Sequence, residues 1–388
     1  MKRYNSRIKI LFSALLAVTA ASIFSACDGV VFHDIRKEVK LEKAKISGDI
    51  HNIVRLKYNG VEHVFASNGT IYYRSVNADT NLGTVTINSK IDWNDDLPNP
   101  DDHVFSLAAD TNYLYAATIK IEKDDDGYNV PTSRSLWCFD TDSKAWVRIY
   151  TAKYSSTLSF ILFCTNTPKP NNRKAYFRYG TSVWELSGTT VLTTDNKKKD
   201  AKESLSKGET FASFDNTTKP TYATKSCAFF NSKVYFSSSD AMATNETAEN
   251  DATYIYKSVG DNISYSTDPN DVTKWTTVSL NHKSILSIAL TKNYLLAGTT
   301  GGIIHTPLKA DSKKIVAIPA AGHVDFSTNA DAALSSYYDV QAVLVVNPSN
   351  DETAATIFAT AETSSTSASL NNVGLWSYFS SRNEWNRE

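Results

Sequence analysis

One pattern of strands recurs along this chain, and a recurring unit fixes an architecture before any single residue does. The stretch NYLLAGTTGG, residues 293–302, matches NYLYAATIKI, residues 112–121, about 180 residues earlier. Both place Asn, an aromatic and alternating aliphatic residues in the same order. Each follows an apolar run, ILSIALTK in one case and VFSLAADT in the other. Six such units succeed one another. Their first strands lie near Ile53 and at Val104, Thr157, Ser226, Ile285 and Val340, spaced roughly 50 to 70 residues apart. The second strands are HVFAS, YLYAAT, KAYFRY, KVYFSS, YLLAGT and ATIFAT. The third are TIYYRSV, RSLWCFD, SVWELS, ATYIYKS, GIIHTPL and GLWSYFS. Fourth strands often open at a Trp: Trp146, Trp275 and Trp385. Helical periodicity is almost absent, and the 20 Tyr and 17 Phe favour strands.

The physics of the unit is consistent along the chain. First strands are nearly continuous apolar runs, as for strands covered on both faces. Second strands mix large and small residues, which lets neighbouring sheets approach at a crowded centre. Fourth strands are more polar, as at an outer rim. Four strands per unit at this period resemble the blades of a β-propeller. Two consecutive β-sandwiches are the competing architecture, since short, evenly spaced strands fit them as well. The expected fold is all-β: a propeller of six four-stranded blades by direct count, with a seventh left open. A seventh has two places to hide, the segment before residue 50 and the long interval from Thr157 to Ser226.

The units resemble those of kelch and Asp-box propellers. YSTDPNDVTKW, residues 265–275, is similar to a degenerate Asp-box, with Ser266, Asp268 and Trp275 matching in kind and the Gly missing. The resemblance implies that Asp268 caps the turn between third and fourth strands and that Trp275 packs between blades. It also implies a structural role for Trp146 and Trp385, and a tight second-to-third turn made by Gly298, Gly301 and Gly302. It speaks for a fold and not for a function.

The first residues are read apart from the fold. Lys2, Arg3, Arg7 and Lys9 precede an apolar run of about 15 residues, and FSAC ends it at Cys27. This resembles the lipobox of bacterial lipoproteins, with Phe24 in place of the usual Leu. An ordinary signal peptide or an anchor helix is the alternative, although the run is short for a span of about 20 residues. The resemblance implies a signal peptide over residues 1–26 and acyl chains on Cys27. Residues 27–49 would be a tether with a strand that closes the ring, and residues 50–388 the propeller. The chain would then sit on a membrane of the bacterial cell envelope, held by two or more acyl chains.

Without the signal, 36 basic residues face 41 acidic ones, a net charge of about −5. That balance gives no basic footprint for nucleic acid. Cys138, Cys164 and Cys227 each sit in an apolar run and read as small buried hydrophobes. A Cys138–Cys164 or Cys164–Cys227 disulfide is the other reading.

Catalytic and metal signals are thin. DDDG, residues 124–127, starts like a calcium loop, but its twelfth position is Ser135 instead of Glu. DWNDDLPNPDDH, residues 92–103, is acidic without fixed geometry. No metal site and no cofactor is expected. The seven His form no HExxH, and no nucleophile elbow, P-loop or GxGxxG occurs. Asp-boxes also occur in sialidases, so a sialidase-like carbohydrate enzyme is the alternative function; its mark would be three arginines converging beside a Tyr.

Polar insertions at residues 120–134, 196–225, 240–251 and 361–372 break the rhythm. Most are assigned between second and third strands, which would gather them on one face. Loops on a rigid scaffold are where recognition usually lives. The expectation is a monomeric, non-catalytic scaffold that binds a protein or glycan partner at that face.

Overall fold

The computed structural model describes residues 46–76, 102–141, 143–192, 198–206, 220–221, 223–280, 283–307, 334, 337–346, 356–363, 370–379 and 384–388. The signal segment, Cys27 and the tether through residue 45 lie outside the described residues, as do residues 92–101 and 207–219.

The described strands form seven antiparallel sheets. Sheet 1 holds β1 (Ile53–Tyr58), β2 (Val61–Ser67) and β3 (Ile71–Ser75). Sheet 2 holds β4 (His103–Ala109), β5 (Leu114–Lys123), β6 (Asn129–Asp140) and β7 (Ala145–Lys153). Sheet 3 holds β8 (Phe160–Cys164), β9 (Ala175–Tyr179), β10 (Ser182–Ser187), β11 (Thr190–Leu192) and β12 (Lys198–Asp200). A short helix, α1 (Ala201–Ser206), follows. Sheet 4 is the hairpin of β13 (Ser226–Phe230) and β14 (Lys233–Ser237). Sheet 5 holds β15 (Met242–Thr244), β16 (Ile255–Val259), β17 (Asn262–Ser266) and β18 (Thr276–Ser279). Sheet 6 holds β19 (Ile285–Leu290), β20 (Tyr294–Thr299) and β21 (Gly302–Pro307). Sheet 7 holds β22 (Tyr338–Asp339), β23 (Val343–Val345), β24 (Thr356–Thr363), β25 (Gly374–Phe379) and β26 (Glu384–Arg387).

The sheets form a closed ring. Strands β1, β4, β8, β13, β15, β19 and β23 touch in that order, and β23 returns to β1. The buried apolar residues divide the same way. One cluster joins sheets 1 and 2 through Leu56, Phe65, Leu107 and Phe139. The largest joins sheets 2, 3 and 4, and others join sheets 4 and 5, 5 and 6, and 6 and 7. The last joins sheet 7 to sheet 1 through Ile50, Val64, Leu344 and Phe358. Two sandwiches would bury their sheets in separate pairs and leave no such chain of contacts. This arrangement is a β-propeller.

The repeat that opens the sequence has a shared physical basis. In DTNY the Asp110 carboxylate accepts the Tyr113 N–H at 2.7 Å, and in TKNY the Thr291 hydroxyl accepts the Tyr294 N–H at 3.0 Å. Each side chain holds the turn from first to second strand, an Asx-type or Ser/Thr-type turn. The tyrosine of each turn packs inward, Tyr294 at 0% exposed and Tyr113 half-buried against the core.

Seven sheets stand where six units were counted. The third strand read at ATYIYKS is β16, which pairs with β15 and β17 instead of β14. Strand β15 is only three residues long, too short to carry a periodic signal. The additional sheet therefore arises inside the fourth unit, at neither of the two places considered for it.

Sheets 1 and 7 meet at a seam. The Ile46 N–H donates to the Glu388 carbonyl at 3.0 Å, and the Leu375 N–H donates to the Ile46 carbonyl at 3.1 Å. Asn68 Nδ2 donates to the Ser47 carbonyl at 2.6 Å, tying the same segment to sheet 1. Arg74 Nη1 lies 3.5 Å from Glu388 Oε2, both side chains buried.

Candidate functional site

In an antiparallel meander every strand reverses. All first strands begin, and all second-to-third turns lie, on one side, here called the front face. First-to-second and third-to-fourth turns lie on the opposite side, the back face.

The back face is fastened by one loop. Residues 165–174 join β8 to β9 in sheet 3 and bond to sheets 1, 2 and 5. Sheet 5 stands across the ring from sheets 1 and 2, so the loop lies over the back mouth of the central channel. Arg173, 3% exposed, is its anchor. Its Nη2 lies 2.6 Å from Glu62 Oε1, its Nε donates to the Thr167 carbonyl at 3.2 Å, and its Nη1 donates to the Arg55 carbonyl at 3.4 Å. On the far side Asn172 Nδ2 donates to Glu246 Oε1 at 2.8 Å, and the Thr167 hydroxyl donates to Glu246 Oε2. Lys169 pairs with Asp251. These groups hold one another and form a structural clasp.

The front face carries the projecting parts. Strands β5 and β6 run past their neighbours, pairing from Ile119–Arg134 out to Lys123–Asn129 beyond the last β4 contact at His103. The tip is closed by Asp124, whose Oδ1 accepts the N–H groups of Asp126 and Tyr128 at 3.1 and 2.8 Å. That side chain caps a turn, which explains DDDG without a cation. Tyr128 is 71% exposed and Ile121 is 51% exposed. Leu158, Val259, Tyr337 and Leu370 are also exposed at front-face ends of strands, whereas Val61, Val147 and Val272 are the exposed large apolar side chains elsewhere among the described residues. His51 and Glu362 meet at the front of the seam, Nδ1 to Oε1 3.3 Å. Burial, then the nearby Asp49, pushes the Glu362 carboxyl up to about 7, and burial lowers His51.

The residues singled out in the sequence fall in several places. Ser266 ends β17, and its hydroxyl accepts the Asp268 N–H at 3.0 Å; Asp268 Oδ1 accepts the Asn270 N–H at 3.3 Å. Trp275 donates from Nε1 to the Pro269 carbonyl at 3.3 Å and packs on the cluster joining sheets 4 and 5. Lys257 Nζ lies 3.9 Å from the Trp275 ring centre. Trp146 in β7 packs on Phe139 of β6, and Trp385 in β26, 1% exposed, packs on Tyr378 of β25. Gly301 and Gly302 make the β20–β21 turn, Gly302 at φ +95°. Gly298 is not part of that turn. It lies inside β20, where a Cβ would fall 2.3 Å from the Val340 carbonyl oxygen of sheet 7.

The insertions are split between faces. Residues 120–134 and 361–372 are second-to-third connections on the front. The loop from Asn245 to Tyr254 joins β15 to β16 on the back, because β16 is a second strand. Cys138, Cys164 and Cys227 are free thiols, and burial raises the pKa of each.

No three arginines converge beside a Tyr among the described residues. Arg55 Nη1 donates to the Val346 carbonyl at 2.8 Å, and Arg178 donates to the Thr224 carbonyl and to Ser159 Oγ. Arg74 and Arg173 hold Glu388 and Glu62. No group of three metal-ligating side chains occurs among the described residues, and no helix there is long and apolar enough to cross a membrane.

No family model matches this sequence, and no curated protein matches it. The solved structures to which the chain is similar include U3-55K, at 12% identity and a TM-score of 0.33, over 89% of this chain and 82% of that one. The WD40 repeats of RRP9 are similar at 12% identity and a TM-score of 0.33, over 89% and 81%. At that distance these likenesses carry no functional weight, and the propeller assignment rests on the ring of sheets itself.

Proposed function

We propose that this chain is a lipid-anchored, extracytoplasmic β-propeller that acts as a non-catalytic scaffold and binds a protein or glycan partner through its front face. The observation that carries the binding reading is the uneven exposure of large apolar side chains: six of the nine exposed ones among the described residues stand at the front, although Val272 on the back is 84% exposed. The six are Ile121, Tyr128, Leu158, Val259, Tyr337 and Leu370. Apolar groups concentrated toward one side of a rigid ring favour that side as the interaction surface. Arg55, Arg74, Arg173 and Arg178 each hold an internal carbonyl or carboxylate, which speaks against a sialidase-like site. The anchor is proposed from the lipobox-like residues that end at Cys27.

The anchor is tested by metabolic labelling with palmitate and membrane fractionation of the wild type and Cys27→Ala. Label and membrane association are expected in the wild type and lost in the variant. An unlabelled wild type, or a variant that still takes up label, would remove the anchor from the proposal.

A further inference from the structure

Two carboxyl groups face each other at the front of the seam. Asp339 and Glu362 are directly opposite in the short antiparallel pairing of β22 with β24. Side chains at such positions point to the same side of the sheet, with Cβ atoms about 5 Å apart. Asp339 Oδ1 and Glu362 Oε1 are both buried, and neither has a hydrogen-bond partner. His51 Nδ1 comes to 3.3 Å from Glu362 Oε1 without the alignment of a hydrogen bond. An ionised carboxylate can only accept, so two ionised groups leave both oxygens bare. Like charges directly opposite also destabilise a sheet. One proton removes both faults: the Glu362 O–H donates to Asp339, and one of the two charges is gone.

The surroundings favour that proton. The segment before β1 brings Asp49 and His51, the start of β4 brings His103 near His51, and Gln341, just after β22, bonds to Glu362. Lys283, at the front end of sheet 6, lies against Gly301. Burial, then Asp49, pushes the Glu362 carboxyl up to about 7, while burial lowers His51. His51 is therefore neutral where Glu362 ionises and supplies no counter-charge. Strand β22 is held to β24 by only two residue pairs, so a change at Asp339 acts on half of its pairing.

We propose that Asp339 and Glu362 share one proton and form a pH-operated latch, which docks β22 on β24 when Glu362 is protonated and releases it when Glu362 ionises. Opening passes the proton to solvent and leaves two facing carboxylates, which part. Tyr337, 56% exposed, precedes β22, and β24 leads into the connection that bears Leu370, 77% exposed. The latch thereby sets how two of the front-face apolar groups are presented, a consequence that rests on the binding reading above, whereas the latch itself does not.

The test is amide hydrogen exchange of the full chain at pH 6 and pH 8, corrected for the intrinsic effect of pH on exchange, and it needs no partner. A carboxyl that titrates at about 7 when docked and near 4.5 when released makes opening about tenfold easier at pH 8 than at pH 6. The peptide spanning β22 is expected to lose protection by that factor, while the peptide spanning β20 does not change. In Glu362→Gln the amide keeps a donor beside Asp339 at every pH, so β22 is expected to stay protected at pH 8. Equal protection of β22 at both pH values in the wild type, or a loss in Glu362→Gln as large as in the wild type, overturns the latch and leaves the front-face reading standing. Should Glu362→Gln not fold, Asp339→Asn decides: protection independent of pH supports the latch, and a tenfold loss as in the wild type overturns it.

Discussion

At the residue scale, small distances between sheets carry large consequences. Gly298 brings β20 against the backbone of sheet 7, where a Cβ would come to 2.3 Å from the Val340 carbonyl oxygen. The obstruction is main chain and cannot swing aside. Gly298→Ala is expected to destabilise the fold by about 1–3 kcal/mol through overpacking, read as a lower midpoint in urea. The sequence marks this glycine only as one of a group of three. It groups Gly298 with the turn at Gly301 and Gly302, because spacing along one strand says nothing about what stands opposite. Asp110 and Thr291 are the reverse case. They are legible because the turn they cap is local, closed three residues later in both copies. The arginine cluster is not legible at all. Arg55 and Arg173 are 118 positions apart and meet only once the ring has closed.

Elements divide into those with their own signal and those without. Five of the six units have their first, second and third strands where the alternation of apolar, small and aromatic residues sets them. Strand β15 escapes because three residues cannot show a period, and its absence shifts β16 and the loop after Asn245 into the wrong roles. The β5–β6 hairpin reads as a polar insertion in sequence, yet it is a regular ladder out to Lys123 and Asn129. Its outer part covers little of the core, since Ile121 to Asn129 are exposed. Replacing residues 121–130 with an Asn-Gly turn is therefore expected to shift stability by no more than about 0.5 kcal/mol, the scale of a surface change. The same replacement is expected to abolish partner binding. A large fall in Tm would mean that the hairpin belongs to the core.

The whole molecule depends on its seam. Sheets 1 and 7 are distant in sequence, and their junction is made by Ile46, Ser47, Arg74 and Glu388, together with the pair His51 and Glu362. That pair gives the seam a pH dependence whose sign follows from proton binding. Burial holds the Glu362 carboxyl up to about 7, above its ordinary range near 4.5. Between those values the folded chain keeps a proton that the unfolded chain releases, so its contribution to stability falls as pH rises. Glu362→Gln removes the ionisation and is expected to raise Tm at pH 8 by more than at pH 5. An equal effect at both values would show that the carboxyl titrates normally. The closed ring also fixes the two faces, and the central claim is that the front one binds.

The direct test is site-specific photo-cross-linking in cells of the source organism, with a photoreactive residue placed in the full chain at Tyr128 on the front or at Val272 on the back. Binding at the front face predicts a discrete adduct from position 128 and none from position 272. Adducts from position 272 alone, or from neither position, would contradict it.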